Sequence, residues 1–300
     1  MYGYANPDGM VPDQRPWRKI AGYWFRATRA VWLAPPHDPY IGRAARVRQS
    51  VLDIVKPTGA HMFAGLYLLC APAFARLFYQ VRAHPHGGKV IRDKPDLLAL
   101  LRDDEYLAQL PVGTLGHGYR SFMATYGLDS CLFHEADVIR PLARALDWHE
   151  DFFYFMVRHT VVHDLQHVVS GYGPDVVGEV LAIGFQSGQT QPAGALEKLG
   201  YAGAVWVPGA SLRHRLRVYR KAVERGSRAD KLAAAPWEDL LDKPLGEVRA
   251  LLGVNSLRAD HPSGLWSATW TPAWMSPGNH WDYDALLSEG DAGEMASDGR

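Results

Sequence analysis

Residues 151–191 read DFFYFMVRHTVVHDLQHVVSGYGPDVVGEVLAIGFQSGQTQ, and the fold follows from how this stretch is read. His163 and His167 stand four apart, so on a helix they project from one face, one turn above the other, with Asp164 beside them. Gly171-Tyr172-Gly173-Pro174 ends that helix with residues that accept positive φ, and Pro174 suits the first turn of a second helix. A reversal this short makes the two helices antiparallel neighbours and brings Glu179 back level with the imidazoles. Gly178 removes a side chain where the two helices approach. The predicted architecture is therefore all-α: a single helical domain with a central antiparallel helix hairpin that carries a divalent-metal site.

The predicted ligands are His163, Asp164, His167 and Glu179. Two imidazoles with one or two carboxylates suit Zn, Fe, Mn or Co better than a metal that prefers thiolates. His159, one turn before His163, and Gln186, two turns after Glu179, share the inward faces. They are expected to orient the ligands rather than to ligate. A buried histidine more often serves as a hydrogen-bonded core residue, and the acid delivered by the hairpin is what raises this cluster above that reading.

At 300 residues the chain can bury a substantial core. Lys plus Arg and Asp plus Glu both number 32, so no global field attracts nucleic acid. Cys70 and Cys131 sit in apolar contexts without metal-ligand spacing, which points to a reduced compartment. Residues 1–16 read as a loose arm without a secretory signal. Residues 17–254 read as the all-helical metal-binding domain, and 255–300 as a Trp-rich and then acidic tail, partly disordered.

Working outward from the hairpin, helices are expected at Trp17–Trp32 and Arg43–Lys56. The first is amphipathic, with Trp and Arg, and fits docking on the protein's own core or lying in a membrane interface. Ala60–Ala75 is the most apolar run, sixteen residues before Arg76, too short to span a bilayer and read as a buried helix. HPHGG (84–88) reads as a surface loop, Pro95–Leu110 as a helix, Tyr119–Tyr126 as a short aromatic segment, and a helix opens at His134-Glu135. Beyond the hairpin, Ser211–Lys231 carries eight Lys or Arg against two acids, with Leu212, Leu216, Tyr219 and Val223 as its apolar stripe. Such a helix is ordinarily a solvated face, and it is also what an anionic membrane surface or an acidic partner would bind. Two short elements follow, Trp237–Leu241 and Pro244–Leu252.

The stretch HDLQHVVSGYGPDVVGEVLAIGFQSGQ (163–189), with LPVGTLGHGY (110–119) before it and PWEDLLDKPLGEVRALLGV (236–254) after it, resembles the coenzyme Q biosynthesis protein 4 family. That family's motif, His-Asp-x-x-His followed after eleven further residues by Glu, falls without a gap on His163, Asp164, His167 and Glu179. The resemblance covers about residues 90–255. It implies an all-helical protein holding a divalent metal, zinc first and Fe, Mn or Co as alternatives, that works on prenylated ring intermediates of ubiquinone synthesis at a membrane surface. The implied activity is oxidative decarboxylation at ring C1, a lyase-type step with hydroxylation. The implied partners are a prenylated quinone precursor or related isoprenoid lipid and other coenzyme Q biosynthesis proteins, with peripheral membrane contact, no nucleic acid and room for a homodimer. The implied location is cytoplasmic, peripheral on the inner face of a bacterial membrane, or the mitochondrial matrix face in a eukaryote. Thr160-Val161-Val162 is less charged than the family pattern, and the Trp-bearing ends have no counterpart in it. A divergent member acting on another lipid is thus a variant of this reading.

In the leading mechanism Glu179 is a ligand and Asp164 is either a fourth ligand or a general base, so both are candidate catalytic residues. Zinc keeps one oxidation state, so with zinc the hydroxylation half needs a separate oxidant. The alternative from another class is a non-catalytic lipid-binding scaffold with a structural metal that organises a biosynthetic complex. A third reading takes His163-Asp164, His134 and Asp175 as a metal phosphohydrolase site.

Overall fold

A computed structural model of the chain describes residues 8–10, 59–128 and 139–269, and over these it is helical with no strand. The predicted helices at 17–32 and 43–56, His134-Glu135, Cys131 and the tail from 270 lie outside the described residues, as does the loose arm apart from 8–10. The first described helix, α1 (Gly59–Ala83), contains the apolar run and continues past Arg76 for two further turns. Arg76 does not end it because its guanidinium reaches out to the Pro192 carbonyl at 2.5 Å. No helix among the described residues is long and apolar enough to cross a membrane.

Two expectations fail here for local reasons. HPHGG is not a loop: it opens α2 (Pro85–Asp93), with His84 as N-cap accepting from the Gly87 amide and Pro85 in the first turn, where its missing N–H costs nothing. The single helix expected at 95–110 is two, α3 (Leu97–Arg102) and α4 (Asp104–Gln109). Asp103 divides them, closing the first and capping the second by accepting from the Tyr106 amide. Next come α5 (Leu115–Tyr126), capped by Thr114, and α6 (Arg140–Leu146).

The central pair is α7 (Glu150–Ser170) and α8 (Val176–Gln189). Gly171 closes α7 in the left-handed conformation (φ 77°), as expected of glycine there. Asp175, not Pro174, starts α8: its carboxylate accepts from Val177 and Gly178 N–H. Gly178 is needed for a reason other than the predicted one. A Cβ there would sit 1.8 Å from the Gly173 carbonyl oxygen, so its own turn, not the facing helix, demands glycine.

α7 is the shared wall of two apolar clusters. Its N-terminal half packs Phe152, Phe155 and Met156 against Phe74 and Phe78 of α1. Its C-terminal half packs Leu165, Val168 and Val169 with Phe122 of α5 and Leu181 and Phe185 of α8. Next to it lie α9 (Ala195–Trp206) and α10 (Leu212–Arg228). α10 lies almost backbone to backbone on α8: a Cβ on Gly226 would come 1.9 Å from the Phe185 carbonyl oxygen, and one on Gly188 2.1 Å from that of Val223.

Of the predicted stripe Tyr219 is buried and Leu216 and Val223 pack against the core, and the close approach adds residues beside them. Val218, Tyr219, Ala222, Arg225 and Gly226 are buried, while Leu212 stays 46% exposed. A buried arginine is invisible to hydrophobic periodicity because partners far along the chain neutralise it. Arg225 donates to Asp260 (2.9 Å) and to the Ser170 and Asn255 carbonyls, and lies over the Tyr172 ring. Asp260 comes from α12 (Leu257–Asp260), which follows α11 (Leu245–Leu251) and two single turns at Leu232–Ala234 and Trp237–Asp239. The described part of the predicted tail, 255–269, is thus bound to the core, with Trp266 buried.

The three stretches that carried the family resemblance meet in space. Leu115 and Gly116 N–H donate to the Lys243 and Leu241 carbonyls, and Leu245 N–H to that of Gly113. Arg249 donates to the Val169 carbonyl (2.9 Å), which joins the last of these stretches to the central one, and just before the central one Arg158 of α7 forms a part-buried pair with Glu238 (2.5 Å).

Candidate metal centre

His163 and His167 emerge from α7 one turn apart, and Glu179 reaches them from the first turn of α8. One ligand atom from each lies within 4.8 Å of the other two. His163 Nε2 and His167 Nε2 are 3.0 Å apart, and the Glu179 carboxylate oxygens stand 3.4 Å from the former and 3.5 Å from the latter. Donors about 2.0–2.2 Å from one cation would be separated by about 2.8–3.6 Å for bond angles of 90–109°. The imidazole pair has that spacing, and the two Glu179 oxygens each lie near one imidazole, so the three groups could hold one small divalent ion after a small shift of the carboxylate.

The protonation state fits as well. His167 Nδ1 is 2.9 Å from the Tyr172 carbonyl, which can only accept. Nδ1 thus carries the proton, and Nε2 presents its lone pair to the cluster, the arrangement usual for a metal-ligating histidine. Phe122 stacks on the other side of that ring at 5.7 Å. His167 is 2% exposed, whereas His163 and Glu179 keep 28% and 32%, so the site is sealed on its inner side and open on one flank.

The charges are strongly coupled. Burial would push Glu179 up, but the two imidazoles outweigh it and hold the carboxyl at about 2. Burial likewise opposes charge on His163, and Glu179 and Asp164 overcome it, raising that imidazole above 6.5. Burial lowers His167 against the pull of Glu179. Without an ion, a proton on His163 Nε2, facing the His167 lone pair and Glu179, supplies the positive charge that this geometry calls for.

Asp164 is not brought into the three-group cluster. One residue past His163, it points about 100° further round the helix. Burial, with Glu179 nearby and His163 opposing, raises its carboxyl to about 6. Of its two predicted roles, this position suits proton handling beside the cluster. His159 and Gln186 touch each other, Gln186 Nε2 meeting His159 Nε2, one turn away from the three ligating groups. His159 is packed between Phe74 and Phe155, and burial, helped by His163, drops it to about 4, which keeps it neutral. Asp175, named in the phosphohydrolase reading, caps α8 through one carboxylate oxygen and is not part of the three-group cluster; His134 lies outside the described residues.

Sequence reasoning missed the groups that hold the turn in place. Arg249 donates to the Val169 carbonyl (2.9 Å) and Arg225 to that of Ser170 (2.9 Å), so two guanidiniums satisfy the last carbonyls of α7. Tyr172 OH meets His261 Nε2 at 3.0 Å. These contacts fix the peptide whose carbonyl orients His167. Their sequence separations of 55 to 89 residues leave no local signature.

Comparison with known proteins agrees with the resemblance. The model of the family "Coenzyme Q (ubiquinone) biosynthesis protein Coq4" matches residues 43–258. Mitochondrial ubiquinone biosynthesis protein COQ4 of Arthroderma otae is 29% identical over 180 residues, 60% of this chain and 64% of the relative. That of Podospora anserina is 30% identical over 183 residues, 60% and 56%. That of Talaromyces stipitatus is 25% identical over 244 residues, 78% and 82%. The chain thus spans less than two thirds of the length of the first two relatives. A solved chain from Nostoc punctiforme, provisionally named a ubiquinone biosynthesis protein, is 20% identical, covers 82% of this chain and 100% of its own, and has a TM-score of 0.46; at that distance the likeness carries no argument.

Proposed function

The chain belongs to the coenzyme Q (ubiquinone) biosynthesis protein Coq4 family, and from that premise we propose that it binds one divalent metal through His163, His167 and Glu179 and uses it on a ring intermediate of ubiquinone synthesis. The substrate class is a prenylated hydroxybenzoate-type ring, and the step is loss of the C1 carboxylate as carbon dioxide with a hydroxyl entering in its place, at a membrane surface; the oxygen atom and the two-electron oxidation are drawn from an external oxidant such as dioxygen, since zinc supplies neither. The observation that carries the reading is the His167 lone pair, fixed by the Tyr172 carbonyl and aimed at two other donors at ion-sharing distances.

A bound divalent ion, zinc first among the candidates, would act as a Lewis acid toward an aryl carboxylate and its neighbouring oxygen. The residues of the chain do the rest. Glu179 supplies the negative charge that makes a cation welcome between two imidazoles, and Phe122 with the α7–α8 core excludes water from the inner side. The exposed flank beside His163 and Glu179 gives a substrate its way in. Asp164, with its carboxyl near 6, takes up or returns a proton beside that opening at neutral pH. Three donors converge among the described residues, and a fourth position left to substrate or water is what separates chemistry from the scaffold reading, where the protein would fill the coordination shell itself.

The experiment is a complementation series in cells lacking the gene. Wild-type protein should clear any ring intermediate that retains the C1 carboxylate, and Glu179→Ala should fail to do so and should also purify without metal. A metal-free Glu179→Ala protein with full activity would refute the assignment.

A further inference from the structure

The corner where α9 ends and α10 begins has no part in the metal site. Trp206 is 82% exposed there, with Val205 at 45% beside it and Leu212 at the start of α10. Arg215 donates to the Val205 and Val207 carbonyls (2.8 and 2.6 Å), which holds the first turn of α10 against the last turn of α9. Immediately beyond, Arg213, Arg217 and Arg220 follow one another on the outward face of α10, all exposed. Among the described residues no acid pairs with them: Glu224 is taken by Lys221 and Arg228, and Asp260 by Arg225, Arg228 and Lys221. Arg213, Arg217, Arg220, Lys221 and His214 also line a cleft of about 600 Å³ between α10 and residues 260–264.

A nearly fully exposed tryptophan is a liability in water unless something apolar receives it. Exposed arginines on the helix that follows attract negative charge, and the two features together match a lipid interface, where an indole settles at headgroup depth and guanidiniums meet phosphates. The geometry points to the α9–α10 corner as the surface by which this protein docks on an anionic phospholipid membrane. Trp206, Val205 and Leu212 enter the interface, and Arg213, Arg217 and Arg220 lie on the headgroups. This deepens the proposed function, from which it takes only the presence of a lipid phase.

Flotation of the full chain with vesicles tests it. Vesicles of phosphatidylcholine with added phosphatidylglycerol should carry the protein upward at low salt, and those of phosphatidylcholine alone should carry much less. The difference should shrink between about 0.01 and 0.15 M salt as the screening length falls. Each arginine near the surface is worth roughly fivefold in affinity, so the triple Arg213→Glu, Arg217→Glu, Arg220→Glu variant should bind at least about a hundredfold more weakly. Trp206→Ala should bind more weakly at every salt concentration. The same charge change placed elsewhere, Lys89→Glu, Arg102→Glu, Arg144→Glu, should float as wild type does. Indifference of the wild type to lipid charge, wild-type flotation by the corner variant, or equal loss by the control variant would overturn the proposal. Metal content of each variant keeps this outcome separate from that of the metal site: a corner variant that keeps its metal and leaves the membrane supports both.

Discussion

Replacing Glu179 by Gln keeps the volume of the side chain and removes the charge that invites a cation between His163 and His167. If wild-type protein is supplied with a divalent ion at about 100 times its dissociation constant, binding stabilises the fold by about 2.7 kcal/mol. For a domain of this size, 1 kcal/mol moves Tm by about 2–4 °C, so the ion should raise it by about 5–10 °C. Losing an outer partner of a ligand already costs about 10–100-fold in metal affinity, so losing a ligand should cost at least the upper figure. At the same ion concentration Glu179→Gln then sits near its own dissociation constant and gains only about 0.4 kcal/mol, a shift of about 1 °C. Scanning calorimetry of metal-stripped protein with and without added zinc, manganese or iron(II) reads both shifts. The comparison is each protein against itself, so any baseline loss in the variant does not enter. An ion-induced rise as large in Glu179→Gln as in wild type would refute the reasoning, as would no rise in wild type with any of these ions.

Other outcomes follow from the same geometry. Metal affinity should fall as pH drops below the raised value of His163, because the ion must displace the proton there, about tenfold per unit for one proton, which titrations at stepped pH would read. In metal-free protein Glu179 is held at about 2 against an ordinary 4.5, so its contribution to stability is present above pH 4.5 and is lost as pH falls toward 2; denaturant midpoints of wild type and Glu179→Gln should converge across that window. Asp164 has the opposite sign: its carboxyl is raised from 3.8 to about 6, so wild type loses stability as pH rises through that range, and Asp164→Asn should be more stable above pH 6 by on the order of 1–3 kcal/mol while still binding metal. Gly226→Ala would drive a methyl into the Phe185 carbonyl, which cannot move aside, and thermal scans should show a loss of about 3 kcal/mol or more. Asp260→Asn strips the buried Arg225 of its countercharge and should cost about 3–5 kcal/mol, read from urea midpoints.

What the sequence displayed were features carried by nearby residues. His163 and His167 share a helix face, Gly171 must take positive φ, and Glu179 follows in the first turn of the next helix; each is local, and the structure brings the two histidines and the acid together. The LPVGTLG, HDLQH and PWEDLL stretches could be recognised singly, but that Gly116 and Leu241 bond to each other was hidden by their separation of more than a hundred residues. The errors share one cause, a competing local interaction that hydrophobic periodicity ignores. Asp103 breaks a continuous apolar pattern by capping, and His84 turns a loop-like HPHGG into a helix start. In α10 a glycine contact and an arginine neutralised from 35 residues away widen the buried face beyond the predicted stripe, and Leu212 at its start stays exposed. Asp164 belongs to the same motif by sequence, and its carboxylate stands beside the three-group cluster, not within it.

The most direct test of the metal assignment is an anomalous difference map of crystals grown from protein purified without added metal, collected at the absorption edge of whatever element metal analysis finds. One peak is expected, about 2.0–2.2 Å from His163 Nε2, His167 Nε2 and a Glu179 carboxylate oxygen, with a further position free of protein. A map with no peak there, and the two imidazole nitrogens still 3.0 Å apart and bonded to each other, would contradict it.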